Sequence, residues 1–397
     1  MTQKKKKQLK LVKPPSVDEL RRMARKYWTA RIKKITAIVF FSFMVVSGTY
    51  LLLTNHVYST VYKAASYKKT TSDSNQYAAF GNGIVRYSRD GVAYLNHKNE
   101  ELWIQSGQFK NPVIDIAGNA FAIGDSGGNS IQIFTEKGLK GEIGTTLPIE
   151  KMSVSDQGIV SAILKNENTP SIVTYDATGN ILVENQVSVS NMGYPVALEM
   201  SPDGTVLAVT YLNLAGGALK SKVVCYNFDS PGENKANHQV SEDEFKDTVM
   251  PEIYFMDASH MVVVGDSSFV LYAGEDVPEK NKEIKLPQEI KNTFHTSKYI
   301  GFVLLNEEKS GYEVRLYNKS GKMIMNREIS GEYSNVSMVG DEIIMYDGSR
   351  CCIITKNGIQ RLKTDLKLDA LAVIPVNGIN KYLVMSANEL RVIYLAK

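Results

Sequence analysis

The residues best suited to acid–base or metal chemistry are five histidines, at positions 56, 97, 238, 260 and 295. Zinc sites commonly take two histidines from H-x-H or H-E-x-x-H motifs, which place both rings on one face of a strand or helix. Neither spacing occurs in this sequence. A metal site therefore has no support from the sequence, and each histidine is better interpreted as an ordinary packed or surface residue.

Three cysteines, Cys225, Cys351 and Cys352, are the candidate thiol nucleophiles. Their number is odd, two of them are adjacent, and no C-x-x-C spacing occurs, so they predict neither a disulfide framework nor a redox pair. Adjacent residues of a strand point to opposite faces. We therefore expect that Cys351 and Cys352 cannot both lie in the core, and we interpret the cysteines as small packed hydrophobic residues.

Glycine-rich and acidic residues offer two further kinds of site. Residues 124–129, reading GDSGGN, resemble a phosphate or calcium loop, but the 12-residue ligand spacing of an EF-hand is absent and no helix is predicted to follow. We predict a tight turn between strands here. A glycan-cleaving site would need two carboxylates close together, but Asp115, Glu199, Asp257 and Asp341 are scattered along the sequence.

The elements that would position these residues form a repeat. A nearly continuous apolar strand, of the kind buried on both faces, recurs eight times. It begins at Gly83, Ala120, Ile159, Val206, Met261, Tyr299, Glu342 and Tyr382. After most copies comes an alternating strand and a glycine turn, as at Gly138, Gly179, Gly321 and Gly358. A four-stranded unit repeated about every 40–45 residues is typical of a β-propeller.

Eight units predict an all-β propeller over residues 77–397, with eight blades favoured and seven possible if the first and last units share a blade. The units begin near Tyr77, Pro112, Lys151, Pro195, Glu252, Lys291, Ser334 and Asp369. The last unit ends after its third strand, so we expect residues 57–62, in a stalk over 55–76, to supply the fourth. We interpret residues 229–247 as an insertion between units four and five.

A membrane-spanning helix is predicted at residues 35–54, which contain no charged residue and no histidine. Twenty helical residues span a hydrocarbon core of ~30 Å. A cleaved signal peptide would have a shorter apolar core of ~7–15 residues followed by a small-x-small site. Residues 55–58, reading NHVY, provide no such site. We therefore expect a single transmembrane α-helix that remains in the protein.

The charges are divided between the two sides of this span. Residues 1–34 carry thirteen Lys and Arg against two acidic residues, whereas the rest of the chain carries 33 basic and 40 acidic residues. Basic residues are enriched on the cytoplasmic side of a span, so we expect a cytoplasmic N-terminus and a C-terminal domain outside the cell. The mild acidity of the main domain argues against nucleic-acid binding.

The basic segment before the span is predicted to end in an amphipathic helix. Ser16 and Glu19 have the spacing of a capping box that starts this helix. We expect it to lie at the membrane interface and to contact anionic lipid, although a docking helix for a cytosolic partner remains an alternative. The residues predicted to make the interface contacts are Arg21, Arg22, Arg25, Lys26, Trp28, Arg31, Lys33 and Lys34.

The chain resembles a family of uncharacterised single-pass membrane proteins of Gram-positive bacteria that carry quinoprotein-like or WD-type propellers as outer domains. The resemblance lies in the basic tail, the span and repeats such as residues 111–116, NPVIDI, with residues 128–134, GNSIQIF. It implies the fold and the anchor but no activity. Quinoprotein enzymes carry regular tryptophan docking motifs, whereas Trp103 is the single tryptophan of this outer domain. We therefore expect no cofactor.

These features predict a non-enzymatic binding or scaffold module, anchored in the bacterial cell membrane, whose propeller takes a protein or cell-wall partner. A multi-blade repeat presents a broad concave surface for such a partner. The alternative is a propeller enzyme that acts on cell-wall glycan or on a quinone-type substrate.

Overall fold

A computed structural model describes residues 16–68, 75–166, 169–214, 217–307, 311–376, 378 and 380–397. The chain forms two compact units, and the boundary between them in the sequence lies between His56 and Val57. The first unit is one long helix. The second consists of strands, with short helices α2 (Val189–Met192) and α3 (Ser230–Glu233) and a 3₁₀ turn at Ala236–His238.

Helix α1 runs from Val17 to Thr54 without interruption, so the predicted amphipathic helix and the predicted span are parts of one element. The predicted capping box is confirmed. The Glu19 backbone N–H donates to Ser16 Oγ at 3.3 Å, and the Ser16 backbone N–H donates to Glu19 Oε2 at 3.0 Å. These bonds satisfy two of the backbone donors that the first turn of a helix leaves free.

The described strands of the second unit form eight four-stranded antiparallel sheets, which confirms the eight-bladed propeller. Blade 1 contains β2 (Gln76–Phe80), β3 (Gly83–Ser88), β4 (Gly91–Leu95) and β5 (Glu101–Ser106). Blade 2 contains β6 (Pro112–Ile116), β7 (Phe121–Asp125), β8 (Ser130–Thr135) and β9 (Gly138–Gly144). Blade 3 contains β10 (Ile149–Val154), β11 (Val160–Leu164), β12 (Ser171–Tyr175) and β13 (Ile181–Gln186). Blade 4 contains β14 (Tyr194–Met200), β15 (Val206–Asn213), β16 (Lys220–Asn227) and β17 (Gln239–Lys246).

The remaining blades follow the same order. Blade 5 contains β18 (Glu252–Asp257), β19 (His260–Val264), β20 (Ser268–Ala273) and β21 (Glu279–Lys285). Blade 6 contains β22 (Ile290–His295), β23 (Tyr299–Asn306), β24 (Gly311–Asn318) and β25 (Met323–Ile329). Blade 7 contains β26 (Asn335–Val339), β27 (Glu342–Asp347), β28 (Arg350–Thr355) and β29 (Gln360–Asp365). Blade 8 contains β30 (Ala372–Pro375), β31 (Lys381–Met385), β32 (Glu389–Ala396) and β1 (Thr60–Lys68).

Strand β1 closes the ring, because it is the outermost strand of blade 8 and pairs antiparallel with β32, from Thr60 opposite Ala396 to Lys68 opposite Glu389. The sequence predicted this role for residues 57–62, whereas the paired strand begins three residues later and extends to residue 68. The segment 55–76 therefore includes a strand of the propeller as well as the connection from helix α1.

The hydrophobic core lies between the blades. Each cluster of buried side chains combines residues of two neighbouring blades, as where Ile344 and Cys351 of blade 7 pack with Val384 of blade 8. Every blade is thus covered on both faces, which explains why its second strand is apolar at consecutive positions. The expectation that Cys351 and Cys352 cannot both be core is wrong: they are 1% and 2% exposed, and they pack on opposite faces of β28.

The interpretation of residues 229–247 as an insertion is also wrong. Only the first part of this stretch, with α3 and the 3₁₀ turn, departs from the blade pattern. The second part is β17, the outermost strand of blade 4, which pairs with β16 along its length. Outermost strands expose one face to solvent, so β17 is polar and lacks the apolar pattern that identifies the inner strands.

Candidate functional site

The described propeller contains a polar channel lined by the first strands of blades 2 to 6. Two cavities lie along it, with volumes of about 510 Å³ and about 370 Å³. Asp115 and Tyr254 line both cavities, so these residues lie where the two meet. First strands of successive blades run side by side around a propeller axis. Side chains that are far apart in sequence therefore face one another across this channel.

Asp115 and Glu199 form the centre of the channel, with Ser153 between them. Ser153 is 1% exposed, and its hydroxyl donates to Glu199 Oε2 at 3.2 Å. The same hydroxyl is hydrogen-bonded to Asp115. The Val154 backbone N–H donates to Asp115 Oδ2 at 2.6 Å. Strands β6, β10 and β14, from three consecutive blades, thus bring two carboxyl groups to one serine.

This arrangement makes both carboxyl groups difficult to ionise. Burial raises the pKa of Asp115, although hydrogen bonds from Val154 and Ser153 oppose that effect. Burial also raises the pKa of Glu199 well above its ordinary value, and repulsion from Asp115 adds to the increase. Two carboxylates that share one site favour a state in which one of them keeps a proton. Raised carboxyl pKa values in a channel are typical of functional sites.

A second polar group faces this pair from blades 5 and 6. The Tyr254 hydroxyl donates to Glu252 Oε2 at 2.8 Å, and the Thr293 hydroxyl donates to the same oxygen at 2.6 Å. The His295 ring meets the Tyr254 ring edge-to-face, with centroids 4.1 Å apart. His295 Nδ1 is buried without a hydrogen-bond partner among the described residues. Burial lowers the pKa of His295 to about 4, so its ring is neutral at pH 7.

At one mouth of the channel, Asp257 is held in a charged state. Its Oδ1 lies 2.8 Å from His260 Nδ1, and its Oδ2 forms an ion pair with Lys319. Burial disfavours the charge on Asp257, but the bonds from Lys319 and His260 outweigh it and lower the pKa to about 2. This carboxylate is therefore already neutralised by its neighbours, in contrast to Asp115 and Glu199.

The structure thus brings together some of the acidic residues that the sequence left scattered. Asp115, Glu199 and Asp257 line one cavity. Asp341 does not, since it precedes β27 and forms an exposed ion pair with Lys356 at 2.9 Å. Among the described residues, no group of three His, Cys, Asp or Glu side chains is placed to hold a metal ion.

In the segment 124–129, residues 126–129 form a turn between β7 and β8, as predicted, while Gly124 and Asp125 end β7. The same stretch also satisfies the spacing G-x-S-x-G, at Gly124, Ser126 and Gly128. A nucleophile elbow with that motif requires a helix directly after the serine, whereas β8 follows here. Asp125 instead fixes the preceding loop, because its Oδ1 accepts from the Lys110 and Asn111 backbone N–H groups at 2.8 Å each.

The residues predicted to contact the membrane interface all lie on helix α1 and are exposed: Arg21, Arg22, Arg25, Lys26, Trp28, Arg31, Lys33 and Lys34. Arg21 lies 4.0 Å from Asp18, both side chains being more than three-quarters exposed. The helix is long and apolar enough to cross a membrane, and its most apolar part has no residue buried in the protein. By these criteria alone it is a candidate anchor or signal sequence. Residues 1–15, the first part of the basic segment, lie outside the described residues.

Solved structures similar to this chain are propellers of low sequence identity. A eukaryotic initiation factor is 12% identical, with 82% of this chain and 85% of that chain covered and a TM-score of 0.53. AztD from Citrobacter koseri is 10% identical, with 74% and 87% covered and a TM-score of 0.51. BamB from Moraxella catarrhalis is 13% identical, with 84% and 100% covered and a TM-score of 0.48. At such identities the likeness shows the fold alone.

No curated protein matches the sequence. A family model does match, over residues 54–395, which include all four strands of each of the eight blades except the last residue of β32. Its description is a family of unknown function, DUF5711. Since the match covers most of the chain, this protein belongs to the DUF5711 family.

Proposed function

We propose that this protein is a non-enzymatic binding or scaffold module that helix α1 anchors to the outer face of a bacterial plasma membrane. The observation that carries the proposal is the exposure of α1 in a chain whose second unit is a closed propeller. Phe40, Phe41 and Phe43 are 63%, 69% and 68% exposed. Apolar side chains of this size need an apolar surrounding, and a bilayer supplies one along the whole predicted span.

The orientation is proposed from the charges. The thirteen basic residues that precede the span favour a cytoplasmic N-terminus. In the first unit, anionic lipid is the proposed partner of the eight interface residues. For the propeller, we propose a protein or cell-wall partner, because a rigid ring of eight blades with a polar channel suits recognition at a fixed geometry.

The orientation is tested by fusing a reporter that is active only outside the cell to either end of the chain. We expect activity after Lys397 and none before Met1. Protease added to intact cells should remove the propeller and leave the N-terminal segment protected. Activity only at Met1 would reverse the orientation, and release into the medium of a propeller that lacks α1 would identify α1 as a cleaved signal sequence.

A second candidate, a propeller enzyme that cleaves cell-wall glycan, is favoured by the Asp115 and Glu199 carboxyl groups. Glycoside hydrolysis uses two carboxyl groups, one of them with a raised pKa as the general acid. The two proposals differ in turnover. Incubation of the full-length protein with purified wall polymer should release no soluble fragments if the protein is a binding module. Release that Glu199→Gln abolishes would establish the enzyme instead.

A further inference from the structure

The larger cavity of the channel contains more negative than positive side chains. Its lining includes Asp115, Asp156, Glu199 and Asp257, and it includes no Lys or Arg among the described residues. Asp257 is paired with Lys319. Asp156 Oδ1 accepts from the Gly118 backbone N–H at 2.7 Å. Asp115 and Glu199 remain, and neither has a cationic partner among the printed ion pairs of the described residues.

The serine between these two carboxyl groups indicates how their negative charge is reduced when no ligand is bound. Ser153 has one hydroxyl proton, which it can donate to only one carboxylate at a time. It donates to Glu199 and is also hydrogen-bonded to Asp115. Both contacts are favourable together when one carboxyl group carries a proton. A cation that entered the channel would replace that proton and allow both groups to ionise.

We infer that the channel binds a small organic cation, a primary amine, with the Asp115 and Glu199 carboxylates as its acceptors and His295 Nδ1 as a further polar contact. The inference rests on the proposed function as a binding module and specifies its ligand class. His295 lines the same cavity, and its Nδ1 is buried without a partner among the described residues. A neutral imidazole nitrogen accepts an N–H bond from an ammonium group when its proton is on the other nitrogen.

The lining favours an amine over the two other ligands that carboxylates commonly bind. A metal ion is disfavoured because no group of three suitable ligands occurs among the described residues. A neutral polyol would leave one carboxyl group protonated and would therefore gain nothing from the charge. The apolar side chains of Ile116, Met256 and Phe255 line the same cavity and suit the methylene chain of an alkyl amine.

Amine binding should depend on pH, because the ligand displaces a proton. The titratable side chains that line the two cavities from β18 and β22 are Glu252, Tyr254, Asp257 and His295. From β10 and the turn after it, they are Glu150, Lys151 and Asp156. Asp257 titrates near pH 2 and His295 near pH 4, so neither changes its charge between pH 6 and pH 8. Burial raises the pKa of Asp115 and of Glu199, and repulsion from Asp115 adds to the increase at Glu199. The proton that the amine displaces therefore comes from this pair.

The test is a calorimetric titration of the full-length protein, in an uncharged detergent, with 1,4-diaminobutane. The matched neutral probe is 1,4-butanediol, which has the same length and carries hydroxyl groups in place of ammonium groups. We expect the diamine to bind and the diol not to bind. Affinity for the diamine should rise as the pH is raised, by up to about tenfold per pH unit where one proton is released. The heat of binding should then differ between two buffers with different ionisation enthalpies.

Variants locate the binding. Asp115→Asn and Glu199→Gln should each weaken diamine binding at least about tenfold and remove the buffer-dependent heat. The matched control is Asp341→Asn, which also removes one negative charge but lies in an exposed ion pair away from the channel. It should bind the diamine like the unchanged protein. If a channel variant fails to fold, the pH and buffer measurements on the unchanged protein still decide the question.

Equal binding of the diol, affinity that does not change with pH, or an equal loss in Asp341→Asn would each overturn the inference. These outcomes are distinct from failure of the proposed function. A chain oriented with its propeller in the cytoplasm that still binds the diamine would refute the location and leave the site intact. A propeller shown to be outside the cell that does not bind the diamine would refute the site alone.

Discussion

Arg361 and Glu342 form an ion pair at the seam between blades 7 and 8, with side chains that are 3% and 20% exposed. The same guanidinium donates to Asn380 and lies 5.6 Å from the centre of the Tyr58 ring. Asn380 Nδ2 in turn donates to the Tyr58 hydroxyl at 2.5 Å. One arginine thus connects the outer strand of blade 7, the last blade and the residues that lead into the closing strand.

Arg361→Ala should strongly destabilise the propeller. It leaves the Glu342 carboxylate without its cation in a largely buried position, which typically costs about 3–5 kcal/mol. Chemical denaturation of the fragment 57–397 measures the change. Arg350→Ala is the control, because its pair with Asp347 is 54% and 38% exposed and should contribute at most about 1 kcal/mol. Equal effects of the two substitutions would contradict the assigned role of the seam.

Removal of the closing strand should open the ring. A fragment of residues 57–397 keeps β1 and should be monomeric and resistant to protease. A fragment of residues 69–397 leaves the β32 edge unpaired along the whole register from Glu389 to Ala396. Unpaired strand edges promote association between chains. Size-exclusion chromatography and limited proteolysis should therefore show aggregation and rapid cleavage, and identical behaviour of the two fragments would contradict the closure.

Glu389 should make the pairing of β32 with the closing strand β1 sensitive to acid. Hydrogen bonds from Arg391 and Ser66 lower its pKa from an ordinary 4.5 to about 2. The stabilisation is therefore fully present above pH 4.5 and is lost as the pH falls towards 2. Glu389→Gln should reduce stability at pH 6 and have little effect at pH 2. Thermal unfolding at a series of pH values measures this, and a constant difference would exclude the linkage.

Glu199 should show the opposite dependence. Its pKa is raised, mainly by burial. At low pH the carboxyl group is protonated in both the folded and the unfolded state and does not destabilise the fold. As the pH rises, the group destabilises the fold increasingly. Glu199→Gln should therefore increase the unfolding temperature at pH 8 and leave it nearly unchanged at pH 4. Loss of stability at pH 8 would mean that the ionised carboxylate is well satisfied in the channel.

The N-terminal segment should bind anionic membranes through its charges. A peptide of residues 4–34 should bind vesicles that contain anionic lipid, because each basic side chain contributes ~1 kcal/mol near such a surface. Salt should weaken the binding, since charge interactions fade over about 8–10 Å at physiological ionic strength. Replacement of all four lysines at positions 4–7 by Gln should reduce vesicle binding. Equal binding to neutral and anionic vesicles at ~0.1 M salt would favour a protein-docking helix instead.

The positive charges next to the span can be tested separately in the whole chain. Changing Arg31, Lys33 and Lys34 to Glu should disturb the orientation, because charges beside the apolar segment have the largest influence on topology. The control is the replacement of all four lysines at positions 4–7 by Gln, which should leave the orientation unchanged. The reporter after Lys397 measures both.

The sequence by itself determined the repeat. Inner strands are buried on both faces, so their residues are apolar at successive positions, and the unit starts at Pro112 and Glu252 coincide with the first residues of β6 and β18. The capping box at Ser16 and Glu19 was equally predictable, because its contacts are three residues apart. Outer strands carry a weaker signal, and β17 was therefore taken for an insertion.

The tertiary structure alone decided which distant residues meet. Cys351 and Cys352 are both buried because blades 6 and 8 cover opposite faces of blade 7, a fact that strand alternation cannot supply. Asp115 and Glu199 are separated by more than eighty residues, yet they share Ser153 because the first strands of three consecutive blades face one channel. Nothing local marks either carboxyl group, since its pKa depends on burial and on a neighbour that only the packing of consecutive blades provides.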